Sequence, residues 1–419
     1  MDIGFIHLTW PQPSNVSEPS AATQYIQGMD KIGHDITVYC LKSPDTDQNV
    51  SDEFSIEYLN IDRSFPKHSG ESINNKILEH KDTLSDHDVL HSYSNRCGYA
   101  IGKIGENNDV STILTLNAYK TICPKNDLLY LDHSPCRSRN ILKCSICTGH
   151  SKIKKMFPTD GRLVWGMISS AHSQLNHLRD IRITEKTLTK IEYIDAFHVY
   201  ANHSVDIFTQ FGFPPNRFFV VPLPLDTNFL IDDNDRSNVD EDIFKLLYVG
   251  RLSYEKGVDR FPKIIYKINK VIDKEVSLTI VGSGYLDKSI KKEAKDLNVF
   301  DKFHMRGHVP NDELPSIYAN HDLFVYPGRV DEAFGRVFLE SMASQTPIVA
   351  TDSGSAEEII NGGGLIANKS LEAIVEKIQQ ALDNQTIYNK LLKGARYRSL
   401  DFREEKIIPQ FESMYQEIV

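Results

Sequence analysis

The chain has 419 residues, more than one hydrophobic core normally fills, so two domains are expected. With 40% hydrophobic and 25% charged residues it reads as globular, and no apolar run is long enough to span a bilayer. A formal net charge of −10 argues against nucleic acid as the main partner, because neutralising phosphates takes a basic face.

Short β-rich apolar runs alternate with longer amphipathic stretches, the pattern of βαβ units with parallel sheets, and the fold class is α/β. Met1–Trp10 reads as a buried strand with no basic flank, so no signal peptide is expected. Strands are expected at Ile3–Leu8, Ile36–Cys40, Val89–Ser92, Thr112–Leu116, Ala196–Tyr200 and Phe218–Val221. Ala21–Ile32 has helical spacing, and Gly33 ends it. A polar acidic run from Asp232 to Asp242 cannot bury itself and reads as a linker.

A second series follows, at Lys245–Val249, Ser277–Val281, Lys302–Met305, Asp322–Tyr326 and Pro347–Ala350. Helices at Leu371–Asp383, Thr386–Arg396 and Glu404–Ile418 close the chain. The expected organisation is an N-terminal Rossmann-like domain over 1–228 with a cysteine-rich insertion near 118–150, a linker over 229–243, a second Rossmann-like domain over 244–400, and a C-terminal helix over 401–419 packing back on the first. In doubly wound sheets ligands bind at the carboxyl ends of strands, and two such domains facing each other leave a cleft.

The motifs fall after strands. Gly250-Arg251-Leu252-Ser253-Tyr254-Glu255-Lys256-Gly257 follows the first strand of the second series. Arg251 brings a planar fork and Lys256 a mobile point charge, which together suit a diphosphate; the bland reading is two ordinary cations on a solvated loop. Gly282-Ser283-Gly284 allows close backbone approach, of a ligand or of a neighbouring element, and Arg306-Gly307-His308 ends the third strand. In Asp331–Met342, Glu332 and Glu340 stand eight positions apart around a loop-to-helix junction. The free N–H groups near Phe334, Gly335 and Arg336 favour phosphate oxygens. The bland alternative makes Glu332 a helix cap and Glu340 a surface residue.

In order and spacing, Leu246–Ile360 resembles the retaining glycosyltransferases of family 4, which have the GT-B fold of two Rossmann-like domains facing across a cleft. The weaker correspondence of Gly33–Val38 and Asp88–Ser92 extends the resemblance over most of the chain. It implies that Arg251 and Lys256 hold the donor diphosphate, that Glu332 bonds the transferred sugar, that Glu340 binds the ribose hydroxyls, and that backbone near Arg306 and His308 meets the base. It further implies attack on the face the diphosphate leaves, with the departing phosphate as base and no metal needed for the step.

The chain departs from that family in two places. Pro11–Ser20 stands where a glycine-rich loop is common, and Asn117 where many members carry a histidine. Asn117 can position a sugar hydroxyl but cannot take a proton, which leaves His91 as the nearby candidate; the bland readings are a polar strand end and a core histidine. Cys123, Cys136, Cys144 and Cys147, spaced C-x12-C-x7-C-x2-C, suit a structural zinc, with an iron–sulfur cluster or free thiols as the other readings and His133 or His150 as substitute ligands. Lys152, Lys154, Lys155, Arg162 and Trp165 form either a membrane-facing patch or a solvated helix face.

The expected function is retaining, hexosyltransferase-type transfer from a UDP- or GDP-linked sugar to a glycan or lipid-linked acceptor, in the cytoplasm or at the cytoplasmic face of the membrane with peripheral contact. A nucleotide-sugar epimerase, a phosphorylase, and a non-catalytic sugar-nucleotide binding protein are the competing readings.

Overall fold

The computed structural model describes residues 1–9, 17–42, 55–59, 70–107, 109–131, 134–156, 179–231, 243–272 and 274–419. The Pro11–Val16 stretch, His133, Arg162, Trp165 and the acidic run 232–242 lie outside them, as do the side chains of Lys152, Lys154 and Lys155. The chain forms two compact units, Met1–Val221 with Ile408–Val419, and Pro222–Ile407.

In the first unit the strands are β1 (Asp2–Thr9), β2 (Asp35–Lys42), β3 (Ser55–Tyr58), β4 (Val89–Ser92), β5 (Ser111–Thr115), β6 (Leu129–Tyr130), β7 (Ser134–Pro135), β8 (Ala196–Val199) and β9 (Phe218–Val220). Seven of them make one parallel sheet in the order β3-β2-β1-β4-β5-β8-β9, while β6 and β7 form a small antiparallel ribbon. Ile6, Leu90, Leu114 and Phe197 are fully buried, as continuous apolar strands covered on both faces should be. Ile408–Val419 completes this core: Phe411 stacks on Tyr25 with ring centres 4.1 Å apart.

In the second unit β10 (Ile243–Val249), β11 (Glu275–Val281), β12 (Phe303–Gly307), β13 (Leu323–Tyr326), β14 (Ile348–Thr351) and β15 (Gly364–Ala367) form a six-stranded sheet in the order β12-β11-β10-β13-β14-β15, with every pair parallel. Leu246 of β10 pairs with Leu278 on one side and Leu323 on the other. The strand order therefore reverses at β10 and β13. Loops leaving their carboxyl ends diverge there and open a crevice, the place where such sheets bind ligands.

Each strand expected in the two series is present, with ends shifted by at most two residues. Edge strands β3 and β15 and the β6–β7 ribbon were not expected. The side chains of β3 alternate between exposed and half-buried, so it has no apolar run to read, and β15 is a four-residue segment opening on Gly364.

Candidate active site

The loop after β10 is shaped by glycine. Gly250 and Gly282 take φ of 149° and 128°, and a Cβ on Gly282 would overlap the Gly250 carbonyl oxygen. A Cβ on Gly284 would likewise overlap the Leu252 carbonyl. The close approach that these two glycines permit is thus to the Gly250–Leu252 backbone, stitched by Leu252 N–H donating to the Ser283 carbonyl at 2.9 Å. On this geometry Gly282 and Gly284 let the Arg251 loop close down.

Gly257, at φ 72°, then turns the chain under the segment that leaves β13, and a side chain there would meet the Pro327 carbonyl. Arg329 locks the two segments together. Its guanidinium forms a fork with Asp259, at 2.6 and 2.8 Å, donates to the Tyr254 carbonyl at 2.9 Å, and covers the Tyr254 ring.

This closure brings Lys256 to Glu332: the ammonium lies 2.6 Å from Oε1. Tyr326, the last residue of β13, donates its hydroxyl to the same oxygen. The Glu332 backbone is pinned too, its N–H donating to the Ser353 carbonyl at 3.2 Å and its carbonyl accepting from Ser355 N–H at 3.1 Å. Burial raises the carboxyl pKa, but Lys256, the Tyr326 hydrogen bond and the charge of Arg251 together hold it below the usual glutamate range. Arg251 is exposed, close enough to act on Glu332 through its field. Lys256, Glu332 and Arg251 therefore gather at the strand-order reversal, where their chemistry suits an anionic ligand with hydroxyl groups.

The bland reading of the two glutamates does not hold. Gly335, at φ 79°, occupies the cap position of the helix Arg336–Ala343 without a side-chain cap, while Glu332 faces Lys256. Glu340, one turn into that helix, is 8% exposed and accepts a hydrogen bond from the buried Tyr318 hydroxyl at 3.1 Å. Arg336 Nε stands 3.7 Å from its other oxygen. Burial is the largest influence on Glu340 and raises its pKa above the usual glutamate range. The two carboxylates are thus built alike, each with a buried tyrosine and one cation, but their proton affinities are pushed apart.

Other expected site residues fall elsewhere. The side chain of Phe334 is 3% exposed and packs edge-on against Phe402, so it is a core residue and only its backbone faces the helix start. Arg306 and His308 are exposed beside the end of β12, where the Gly307 carbonyl accepts the Gly282 N–H at 2.6 Å.

In the first unit, Asn117 is half-buried just beyond β5 and donates to the Tyr93 carbonyl at 3.3 Å. His91 is fully buried, which corrects its placement as a catalytic candidate. His198 Nε2 must donate to the Val221 carbonyl at 2.9 Å, so its Nδ1 accepts from Thr115 at 3.0 Å. Thr115 then accepts from His91 Nε2 at 2.7 Å, and His91 Nδ1 accepts from Tyr415. Both nitrogens of both rings are consumed by this core chain. Burial lowers both pKa values, that of His198 to about 4.

The four cysteines of the insertion line one pocket, together with Lys125, Arg139 and Lys143. The Leu131 N–H and the Lys125 ammonium point at Cys147 Sγ, at 3.3 and 3.8 Å. Among the described residues, no three cysteine, histidine or acidic side chains stand close enough together to hold a metal ion.

Sequence reading missed Tyr326, Tyr318 and Arg329. Tyr326 and Tyr318 sit in apolar runs and read as core, and Arg329 lies in a loop of no evident pattern.

The chain is similar to known proteins in part of its sequence and in its fold. Residues 231–398 match the family model described as Glycosyl transferases group 1. An uncharacterized glycosyltransferase of Methanocaldococcus jannaschii is 36% identical over 165 residues, 38% of this chain and 40% of the relative. A GDP-mannose-dependent α-(1-6)-phosphatidylinositol monomannoside mannosyltransferase of Mycobacterium tuberculosis is 32% identical over 143 residues, 32% of this chain and 37% of that one. The chain thus spans about two fifths of the length of these curated relatives.

Among solved structures, sucrose-phosphate synthase from Thermosynechococcus elongatus is similar with a TM-score of 0.74 at 16% identity, over 99% of this chain and 98% of the other. HepE of Anabaena, in complex with UDP, is similar at 0.69 and 14%, over 100% of both chains. The likeness to these structures places the fold in the GT-B class. The group 1 likeness lies in the second unit, over the residues that hold Arg251, Lys256, Glu332 and Glu340.

Proposed function

We propose that this chain transfers a sugar, with retention at the anomeric carbon, from a nucleoside-diphosphate sugar to a glycan or lipid-linked acceptor in glycan biosynthesis. The reading is carried by one observation: Lys256 and Glu332 meet at the strand-order reversal of the second unit, with Arg251 beside them. Relatives and neighbours named for GDP-mannose and for UDP support the class of donor. In the reaction the bond between the anomeric carbon and the diphosphate oxygen breaks. The acceptor oxygen bonds to that carbon on the same face, and its proton passes to the departing phosphate. Arg251, Lys256 and the helix start at Gly335 and Arg336 meet the charge that develops on the leaving group. Glu332 accepts hydrogen bonds from the sugar, and Glu340 from the ribose. Exposed Arg306 and His308 flank the base.

The work is assigned to the cytoplasm or the cytoplasmic face of a membrane; no described helix is long and apolar enough to cross one. Incubation with a panel of UDP- and GDP-sugars, followed by identification of the anomer formed, tests the reading. Epimerised donor, phosphorolysis, or binding without turnover would favour one of the competing readings.

A structural zinc in the cysteine insertion is a separate proposal. It is supported by four thiols lining one pocket. Coordination would require the sulfurs to converge. Near-stoichiometric zinc in the full-length protein supports it; four titratable thiols without metal reject it.

A further inference from the structure

We propose that Tyr326 is a positioning residue that keeps the Glu332 carboxylate aimed at the transferred sugar when Lys256 turns to the donor diphosphate. The inference rests on the glycosyltransferase reading above.

Lys256 cannot serve both roles at once without sharing. In the free protein its ammonium neutralises Glu332, at 2.6 Å, yet the same ammonium is the mobile cation beside Arg251 that a diphosphate would attract. A carboxylate released by its lysine would normally swing, because the glutamate side chain has three rotatable bonds. Here a second donor remains.

The Tyr326 hydroxyl reaches the oxygen that Lys256 reaches, Oε1, and among the described residues no hydrogen bond is made to Oε2. With Oε1 tethered, Oε2 is left open to accept a sugar hydroxyl. Tyr326 is suited to the task because it is rigid. It is 2% exposed, its strand pairs with β14 through Ala350, and its ring meets Phe338 edge-on at 5.1 Å. Gly328 lies flat against the ring where any side chain would collide with it. Burial and the adjacent Glu332 charge keep the phenol protonated, hence a donor across the working pH range.

The test is Tyr326→Phe in the full-length chain, which removes one hydroxyl and keeps the ring. Binding of UDP or GDP should stay within about twofold, since no atom of the diphosphate site is lost. Turnover of the nucleotide sugar should fall roughly tenfold to a hundredfold in kcat, with KM for the donor little changed. The acid limb of the pH–rate profile should move to higher pH, because a carboxylate that loses a hydrogen-bond donor holds its proton more tightly. A purely structural role predicts instead that nucleotide binding and thermal stability fall together with kcat, and that result overturns the proposal.

A second readout does not depend on turnover. The Glu332 carboxyl resonance, assigned by its loss in Glu332→Gln, should titrate at higher pH in Tyr326→Phe than in the parent protein, and higher again with Lys256→Met added. If that titration is unmoved the positioning role is wrong, whatever the enzyme does. If it moves but no nucleotide sugar is consumed by the parent protein, the donor reading fails while the tether stands.

Discussion

The ammonium of Lys256 lies 2.6 Å from Oε1 of Glu332, joining the loop after β10 to the loop after β13, 76 positions further along the chain. Both side chains are mostly shielded, at 19% and 15% exposure, so the pair feels a lower dielectric than a surface salt bridge does. Lys256→Met should therefore strand a shielded carboxylate and lower stability by about 2 kcal/mol near pH 7. Because the folded pKa of Glu332 is depressed, that stabilisation is present above the unfolded carboxylate value near pH 4 and is lost as the pH falls through the folded value. A double-mutant cycle with Glu332→Gln, read by urea unfolding, checks it: the coupling should shrink toward zero in acid.

Glu340 has the opposite sign. Its raised pKa means the folded protein prefers the protonated carboxyl, so its contribution to stability is fully present below the unfolded value near pH 4 and declines as the pH rises through the folded one. Glu340→Gln, which keeps an acceptor for Tyr318 and drops the buried charge, should be as stable as the parent protein or more stable by up to about 1 kcal/mol at pH 7, with the difference closing in acid. Nucleoside diphosphate affinity should nevertheless weaken, on the order of tenfold, if the carboxylate holds the ribose. Thermal melts at two pH values, together with calorimetric titration of UDP and GDP, separate the two effects.

The hydrogen-bonded chain Tyr415–His91–Thr115–His198–Val221 holds both imidazoles in the core, where burial favours their neutral forms. Unfolding releases both histidines to their ordinary pKa near 6.5, so the unfolded state takes up more protons than the folded one below that pH. Stability of the first unit should fall as the pH drops from about 6.5 toward 4, by on the order of 3 kcal/mol from His198 alone. Acid titration of unfolding free energy, with His198→Gln as the flatter reference, measures it.

Gly282→Ala should cost about 2 to 4 kcal/mol, since φ of 128° is unfavourable for alanine and its Cβ overlaps the Gly250 carbonyl oxygen. The Arg251 loop would have to lift, so diphosphate affinity should fall in parallel. Gly362→Ala is the control: it too has a positive φ, 87°, but nothing stands near the new methyl group, so it should be milder and leave nucleotide binding alone.

Much of this was legible in the residues. Central strands such as Leu246–Val249 and Leu323–Tyr326 are covered on both faces, and their apolar runs announce them. Edge strand β3, with Glu57 and Ser55 turned to solvent, carries no such signal. Motifs following strands pointed to Arg251, Lys256, Glu332 and Glu340, because side chains at the carboxyl ends of strands sit next to those strands in sequence. What sequence could not supply was which partner each carboxylate takes. Glu332 and Glu340 look alike on the page, and their opposite proton affinities arise from Lys256, 76 positions away, and from the depth at which the helix Arg336–Ala343 is buried. His91 shows the converse: a histidine ending a strand is chemically suggestive, and only the packing of the last twelve residues reveals it as core.

Lys256, Glu332 and Arg251 are proposed to form the donor site of a retaining sugar transfer. The most direct test incubates the full-length protein with UDP- and GDP-sugars, follows nucleoside diphosphate release, and determines the configuration of the newly formed sugar before it equilibrates. Release from at least one donor is expected, with product of that donor's anomeric configuration and a loss of about a hundredfold or more in Glu332→Gln while UDP or GDP binding is preserved. Product of inverted configuration, or turnover undiminished in Glu332→Gln, would contradict it.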